Sequence, residues 1–268
     1  MTQAPRKTAT GRVPMDSMRK TALVAGILYL ITFISIPTLA LFGPVKTDAN
    51  YLISAGSDTA ILVGGFLEVI VALAGIGTAL ALFSVVQRQQ EGFALGLVTT
   101  RVFEAAMIGI GVVSLLGIVA LRQPGATGVE ATSLTTVGSA LVAGYNGASL
   151  LGQSLVPGLN ALLLGTLLYR SGLVPRALPV LGLIGAPILI TATVLTIFGV
   201  VEQYSALGGL AALPIAVWEF SLGLYLVFKG FKASAPIMLA AAAQSDSLGG
   251  SPRATPLRPA IATSAGPA

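Results

Sequence analysis

Thr21 to Phe42 contains no Asp, Glu, Lys or Arg. As a helix rising about 1.5 Å per residue it is about 33 Å long, enough to cross a hydrocarbon core of about 30 Å. Similar apolar runs cover 59–83, 93–121, 150–169, 178–200 and 207–228, with few charges inside them. In lipid, backbone amides and carbonyls must bond within their own segment, so runs of this length fit helices. Gly43-Pro44 ends the first run, Asp58 is placed to cap the second, and Pro124-Gly125 marks a turn after the third. The expected fold class is all-α: a polytopic membrane protein, a bundle of about six transmembrane helices.

The cations are distributed by side. Arg6, Lys7, Arg12, Arg19 and Lys20 precede the first run, and Arg88, Arg170, Arg176, Lys229, Lys232, Arg253 and Arg258 fall on the same side of a six-span weave. Only Lys46 and Arg122 fall on the other, and Arg101 lies inside a span. Lys and Arg gather on the cytoplasmic side of membrane proteins, so both termini are expected in the cytoplasm. This pattern accounts for the net charge of +5 without a nucleic-acid partner. Only 9% of residues are charged, too few for the shell of a soluble domain this size. The expected organisation is an N-terminal tail over 1–20, a membrane domain over 21–232, and a disordered Ala/Ser/Gly/Pro-rich tail over 233–268. Thr38-Leu39-Ala40 loosely resembles a signal cleavage site, but the preceding run exceeds the about 15 residues of a signal core, so retention is expected.

Histidine and cysteine are absent. That removes disulfides, Cys/His zinc sites, His-ligated haem and any Ser-His or Cys-His catalytic pair. No Walker loop or His-Glu-x-x-His motif occurs. No aspartate lies within a span, which leaves an intramembrane aspartate-pair protease without its groups. No catalytic residue, cofactor or metal ligand is assigned, although carboxylates and amides alone can bind a hard cation.

The informative residues are the ionisable ones inside the spans. An ionised group at mid-bilayer costs about 2.5–3.5 kcal/mol or more, so it normally faces the bundle interior and finds a partner. Counting residues from the span ends puts Glu68 about 13 Å and Glu219 about 18 Å from the outer edge. Arg101 falls level with Glu219, and Glu104, one turn further, level with Glu68. Glu68, Arg101, Glu104 and Glu219 are therefore expected to form a buried cluster joining the second, third and sixth spans. With three carboxylates to one cation, one glutamate is expected to be neutral at pH 7 and able to exchange a proton. The competing reading has Arg101 snorkelling to the surface and pairing only with Glu104 on its own helix. Asn146, Gln153 and Asn160, spaced seven apart, form a polar stripe on one helix face. Gln153 and Asn160 join the candidate binding residues, although such amides also serve as plain interhelical bonds. Pro157 lies between them and is expected to kink or interrupt the helix.

Several segments resemble a known family. They are Arg19-Lys-Thr-Ala-Leu-Val-Ala-Gly-Ile-Leu-Tyr29, Leu167-Leu-Tyr-Arg-Ser-Gly-Leu-Val-Pro-Arg176, Val180-Leu-Gly-Leu-Ile-Gly-Ala-Pro187 and Ala212-Leu-Pro-Ile-Ala-Val-Trp-Glu219, with Lys229-Gly-Phe closing the last run. In this order, over about Met18 to Lys232, they resemble the bacterial membrane proteins of the domain-of-unknown-function 4386 family. The resemblance implies a multi-helix protein of a bacterial plasma membrane and brings no activity, ligand or site residue with it.

Two functions fit. One is small-solute or proton-coupled transport through the Glu/Arg cluster, which requires a polar cavity reaching the carboxylates from one face. The other is a scaffold or regulatory subunit packing against another membrane protein or a second copy. That reading requires a closed bundle with an exposed stripe of small residues such as Gly75–Ala79, Gly109–Gly111 or Gly182–Ala186. An enzyme is disfavoured by the missing His and Cys. The lipid bilayer is the expected surroundings in either case.

Overall fold

The computed structural model describes residues 17–236 and 239; the N-terminal tail before Ser17 and nearly all of the tail expected to be disordered lie outside them. The described residues form helices α1 (Ser17–Thr32), α2 (Ser35–Leu41), α3 (Gly43–Thr47), α4 (Thr59–Val86), α5 (Glu91–Leu121), α6 (Gly128–Ser149), α7 (Val156–Ser171), α8 (Ala177–Ile197) and α9 (Ala206–Phe228), and no strand occurs among them. Six segments are long and apolar enough to cross a membrane. The first joins α1 to α2 over Ser17–Leu41, and the fourth joins α6, a π-helical stretch (Leu150–Leu155) and α7 over Gly128–Ser171. The others are α4, α5, α8 and α9. The fold is an all-α bundle of six apolar spans. The fourth helix takes in both the expected span 150–169 and the stretch 137–149 before it.

Two prolines shape the interior. Pro37 has no amide hydrogen and cannot bond back to Phe33, one α-turn earlier. The Phe33 carbonyl instead accepts from Ile36 at 3.1 Å, and Phe33 and Ile34 bond back three residues to Leu30 and Ile31. The first span is therefore broken between α1 and α2. Pro157 likewise withdraws the donor that the Gln153 carbonyl would receive. There the helix widens instead of breaking: the Val156 amide reaches back five residues to Leu151.

Each span packs against the next in sequence, and α9 returns to pack against α1, closing a ring. The seam is tight. A side chain on Gly26 would lie 2.8 Å from the Gly223 carbonyl oxygen and the Val227 nitrogen. Arg19 secures it by donating to the carbonyls of Leu226 at 2.8 Å and Val227 at 2.5 Å, two of the four that a helix end leaves free. The end of the bundle carrying Arg19, Arg88, Arg170 and Lys229 is called the basic end below.

Two large apolar blocks fill most of the interior, with a small cluster of Val71, Ile108 and Val112 besides. Near the basic end, Ala22, Leu82, Leu97, Leu164, Leu168, Trp218 and Leu222 form a continuous core. At the opposite, loop end, Phe42, Val45, Leu52, Ile61, Leu115 and Tyr145 form a second core under the 48–58 loop. Arg122 ties that loop down, bonding Asp58 at 2.5 Å and the Ser54 carbonyl at 3.0 Å. Large apolar side chains such as Phe66, Leu73, Val113 and Leu210 cover the outside, as lipid contact requires.

Candidate functional site

The polar groups lie between the two cores. Arg101 projects from α5 into the ring and is 3% exposed, so it does not snorkel. Its guanidinium donates to Glu219 on α9 at 2.8 Å, to both oxygens of Glu104 at 3.1 and 3.2 Å, and to the Tyr29 hydroxyl on α1 at 3.3 Å. The Tyr29 ring lies 5.4 Å below it. Its Nε is buried and has no hydrogen-bond partner among the described residues. Asn160 of α7 donates to Glu104 at 2.7 Å and accepts from Thr100 at 2.5 Å. A planar, five-donor cation is suited to holding two carboxylates from different helices.

Glu68 belongs to a separate group. It is buried on α4, accepting from Thr38 of α2 at 2.7 Å and from Gln153 at 2.5 Å. Gln153 in turn accepts from Ser149 at 2.9 Å. No ion pair reaches Glu68 among the described residues. The expected single cluster is thus two neighbouring groups: Arg101, Glu104, Glu219 and Asn160 in one, Glu68 and Gln153 in the other. Equal depth does not join Glu68 to Glu104, because the two helices turn those side chains toward different partners.

A cavity of about 290 Å³ is lined by Arg101, Glu104 and Glu219 of the first group and by Gln153 of the second. All six spans line it, and its polar wall is Arg101, Glu104, Glu219 and Gln153, with Thr32 and Ser35 at the break in the first span. A second cavity, about 230 Å³, shares Leu39, Gln153, Leu189 and Ala212 with the first and runs to Gln203 and Tyr204 in the loop before α9. The two adjoin across these shared residues, so cavities lie between the loop end and the ion pairs. On the other side of the ion pairs the core of Leu97, Leu164, Trp218 and Leu222 fills the ring.

The polar stripe of the fourth helix meets three different levels. Asn160 bonds Glu104 and Gln153 bonds Glu68, while Asn146 accepts from Gln203 through its carbonyl at 2.9 Å and from Tyr204 through its side chain at 3.1 Å. Lys46 lies over the Tyr204 ring at 3.9 Å. Burial pushes the Lys46 ammonium below its ordinary range and the Tyr204 hydroxyl above its own. Sequence reasoning passed over Tyr29, Thr38 and Thr100. Pro37 was the signal for Thr38, because a broken turn is where a hydroxyl finds a partner off its own helix.

Among the described residues no group of His, Cys, Asp or Glu is arranged to hold a metal ion. The arrangement can exchange a proton at a carboxylate or pair a carboxylate with a cationic ligand, since two carboxylates share one guanidinium.

No curated protein and no solved structure matches this chain. One family does, over residues 24–230. The chain belongs to the family described as Domain of unknown function (DUF4386).

Proposed function

We propose that the protein carries a small solute across a bacterial plasma membrane, with the basic end in the cytoplasm and a proton exchanged at the Arg101–Glu104–Glu219 group. The observation that supports this reading is the pair of adjoining cavities between the loop end and two partly accessible carboxylates inside a ring of six helices. A structural ion pair needs no such cavity. The broken first span and the π-helical turn of the fourth both line it, and interrupted helices beside a mid-membrane site are a recurrent transporter device. In the orientation that the cation distribution favours, the cavity lies toward the outside and the leucine-rich core is the closed inner gate.

The scaffold reading has less support. Two of its small-residue pairs are used inside the bundle: a side chain on Gly182 would lie 2.6 Å from the Trp218 ring, and Gly75 lies against Arg101.

The test is solute-dependent proton flux in proteoliposomes loaded with a pH-sensitive dye and challenged with cationic, zwitterionic and anionic organic solutes. Flux is expected with at least one class and is expected to disappear in Glu219→Gln. Silence across all three classes, or equal flux in the variant, defeats the proposal.

A further inference from the structure

We propose that the solute is a monovalent organic cation with an apolar body, its charge held on Glu219 and its body against the wall from Phe33 to Leu39. This rests on the reading that the cavity binds a solute, and adds its chemical class.

The charge follows from which atoms are spoken for. Glu104 uses both oxygens, on Arg101 and Asn160. Glu219 uses Oε1 on Arg101, and no described residue bonds its Oε2. Both carboxylates line the cavity with 12% and 14% of the side chain accessible, against 3% for Arg101. With both carboxylates ionised, the polar floor is therefore an anionic surface with one negative charge in excess and one free acceptor. A single positive charge completes it, whereas an anion meets two carboxylates before it meets the guanidinium.

The body follows from the walls. Phe33, Ile36, Leu39, Ile108, Leu189 and Ile215 make most of the surface above that floor. A hydrated inorganic ion or a sugar loses water against them and gains nothing, while a hydrocarbon group gains by leaving water. Phe33, braced edge-on by Phe220 at 5.2 Å, gives an ammonium group an aromatic neighbour. Ile36 and Leu39 line the cavity yet are 58% and 54% exposed, because α2 packs on α4 and not closely on α8 or α9. A cavity of about 290 Å³ accommodates one aromatic ring with its ammonium head.

The experiment is isothermal titration of the purified full-length chain in an uncharged detergent with three probes. Benzyltrimethylammonium carries both features, tetramethylammonium only the charge, and toluenesulfonate a similar body with the opposite charge. Saturable binding of benzyltrimethylammonium is expected. Tetramethylammonium is expected to bind at least about tenfold more weakly, and toluenesulfonate not at all. Glu219→Gln should weaken the first probe about tenfold or more. Ile36→Asn, outside the polar network, should weaken the ring-bearing cation and leave tetramethylammonium unchanged; it keeps the test open if Glu219→Gln does not fold. Preference for toluenesulfonate, equal binding of the two cations, unaltered binding in both variants, or no saturable binding of any probe overturns the assignment. The proton-flux panel decides separately whether the cavity carries some other solute, so a wrong class and a wrong function give different results.

Discussion

Arg101 is the residue on which the polar interior turns. It bridges two carboxylates from α5 and α9 and a phenol from α1. Arg101→Met strands both glutamates, and losing one partner of a buried ion pair costs about 3–5 kcal/mol. A drop in thermal midpoint in detergent is the expected result. Adding Glu219→Leu to Arg101→Met should return part of that loss, because a buried ion pair replaced whole by apolar groups is often close to neutral. A double variant less stable than the single one would show that Glu219 does not depend on Arg101 for its place. At the loop end the relevant group is Tyr204, whose hydroxyl burial pushes above its ordinary value. A group raised in this way helps the folded state below the unfolded pKa, near 10, and that help fades as pH climbs through the folded value. Melting in Tyr204→Phe should therefore be less sensitive to pH above about 10 than melting of the parent chain.

At the scale of single helices, glycines give a contrast within one bundle. Gly26 lies against α9 backbone, so even an added methyl at 2.8 Å forces the first and last spans apart. Gly26→Ala should cost about 1–3 kcal/mol. Nothing lies within 4 Å of the corresponding position on Gly109, and Gly109→Ala should stay within about 0.5 kcal/mol of the parent. Thermal unfolding of both variants in one detergent checks the pair. Helices were also where the sequence could be read well and where it could not. Six apolar runs were legible because lipid penalises charge over the whole length of a span. Arg101 and Glu219, level by residue counting, are in contact at 2.8 Å because counting along straight helices measures depth. Rotation about the helix axis is not measured that way, so Glu68 could not be assigned to Thr38 and Gln153. Nor could Pro37 and Pro157 be told apart. Both remove a donor, and whether the helix breaks or widens depends on which neighbours take up the freed groups.

For the whole molecule the governing arrangement is the closed ring, with adjoining cavities between the ion pairs and the loop end and apolar packing toward the basic end. Its orientation is open to direct measurement. Alkaline phosphatase fused after Lys46 should be active and fused after Arg170 inactive, with green fluorescent protein giving the reverse pattern. Activity at both positions would contradict the six-span weave.

The seam between α1 and α9 also bears on how the chain is made. Arg19 grips carbonyls that are translated 207 and 208 residues later, and Arg101 waits 118 residues for Glu219. Until the last segment leaves the ribosome, the nascent protein is an open arc whose central cation has Glu104 and Tyr29 for company but lacks its second carboxylate. Synthesis halted after α8 would leave that cation without Glu219 and the ring open beside it, so a truncated product should be cleared by membrane proteases while the complete one persists.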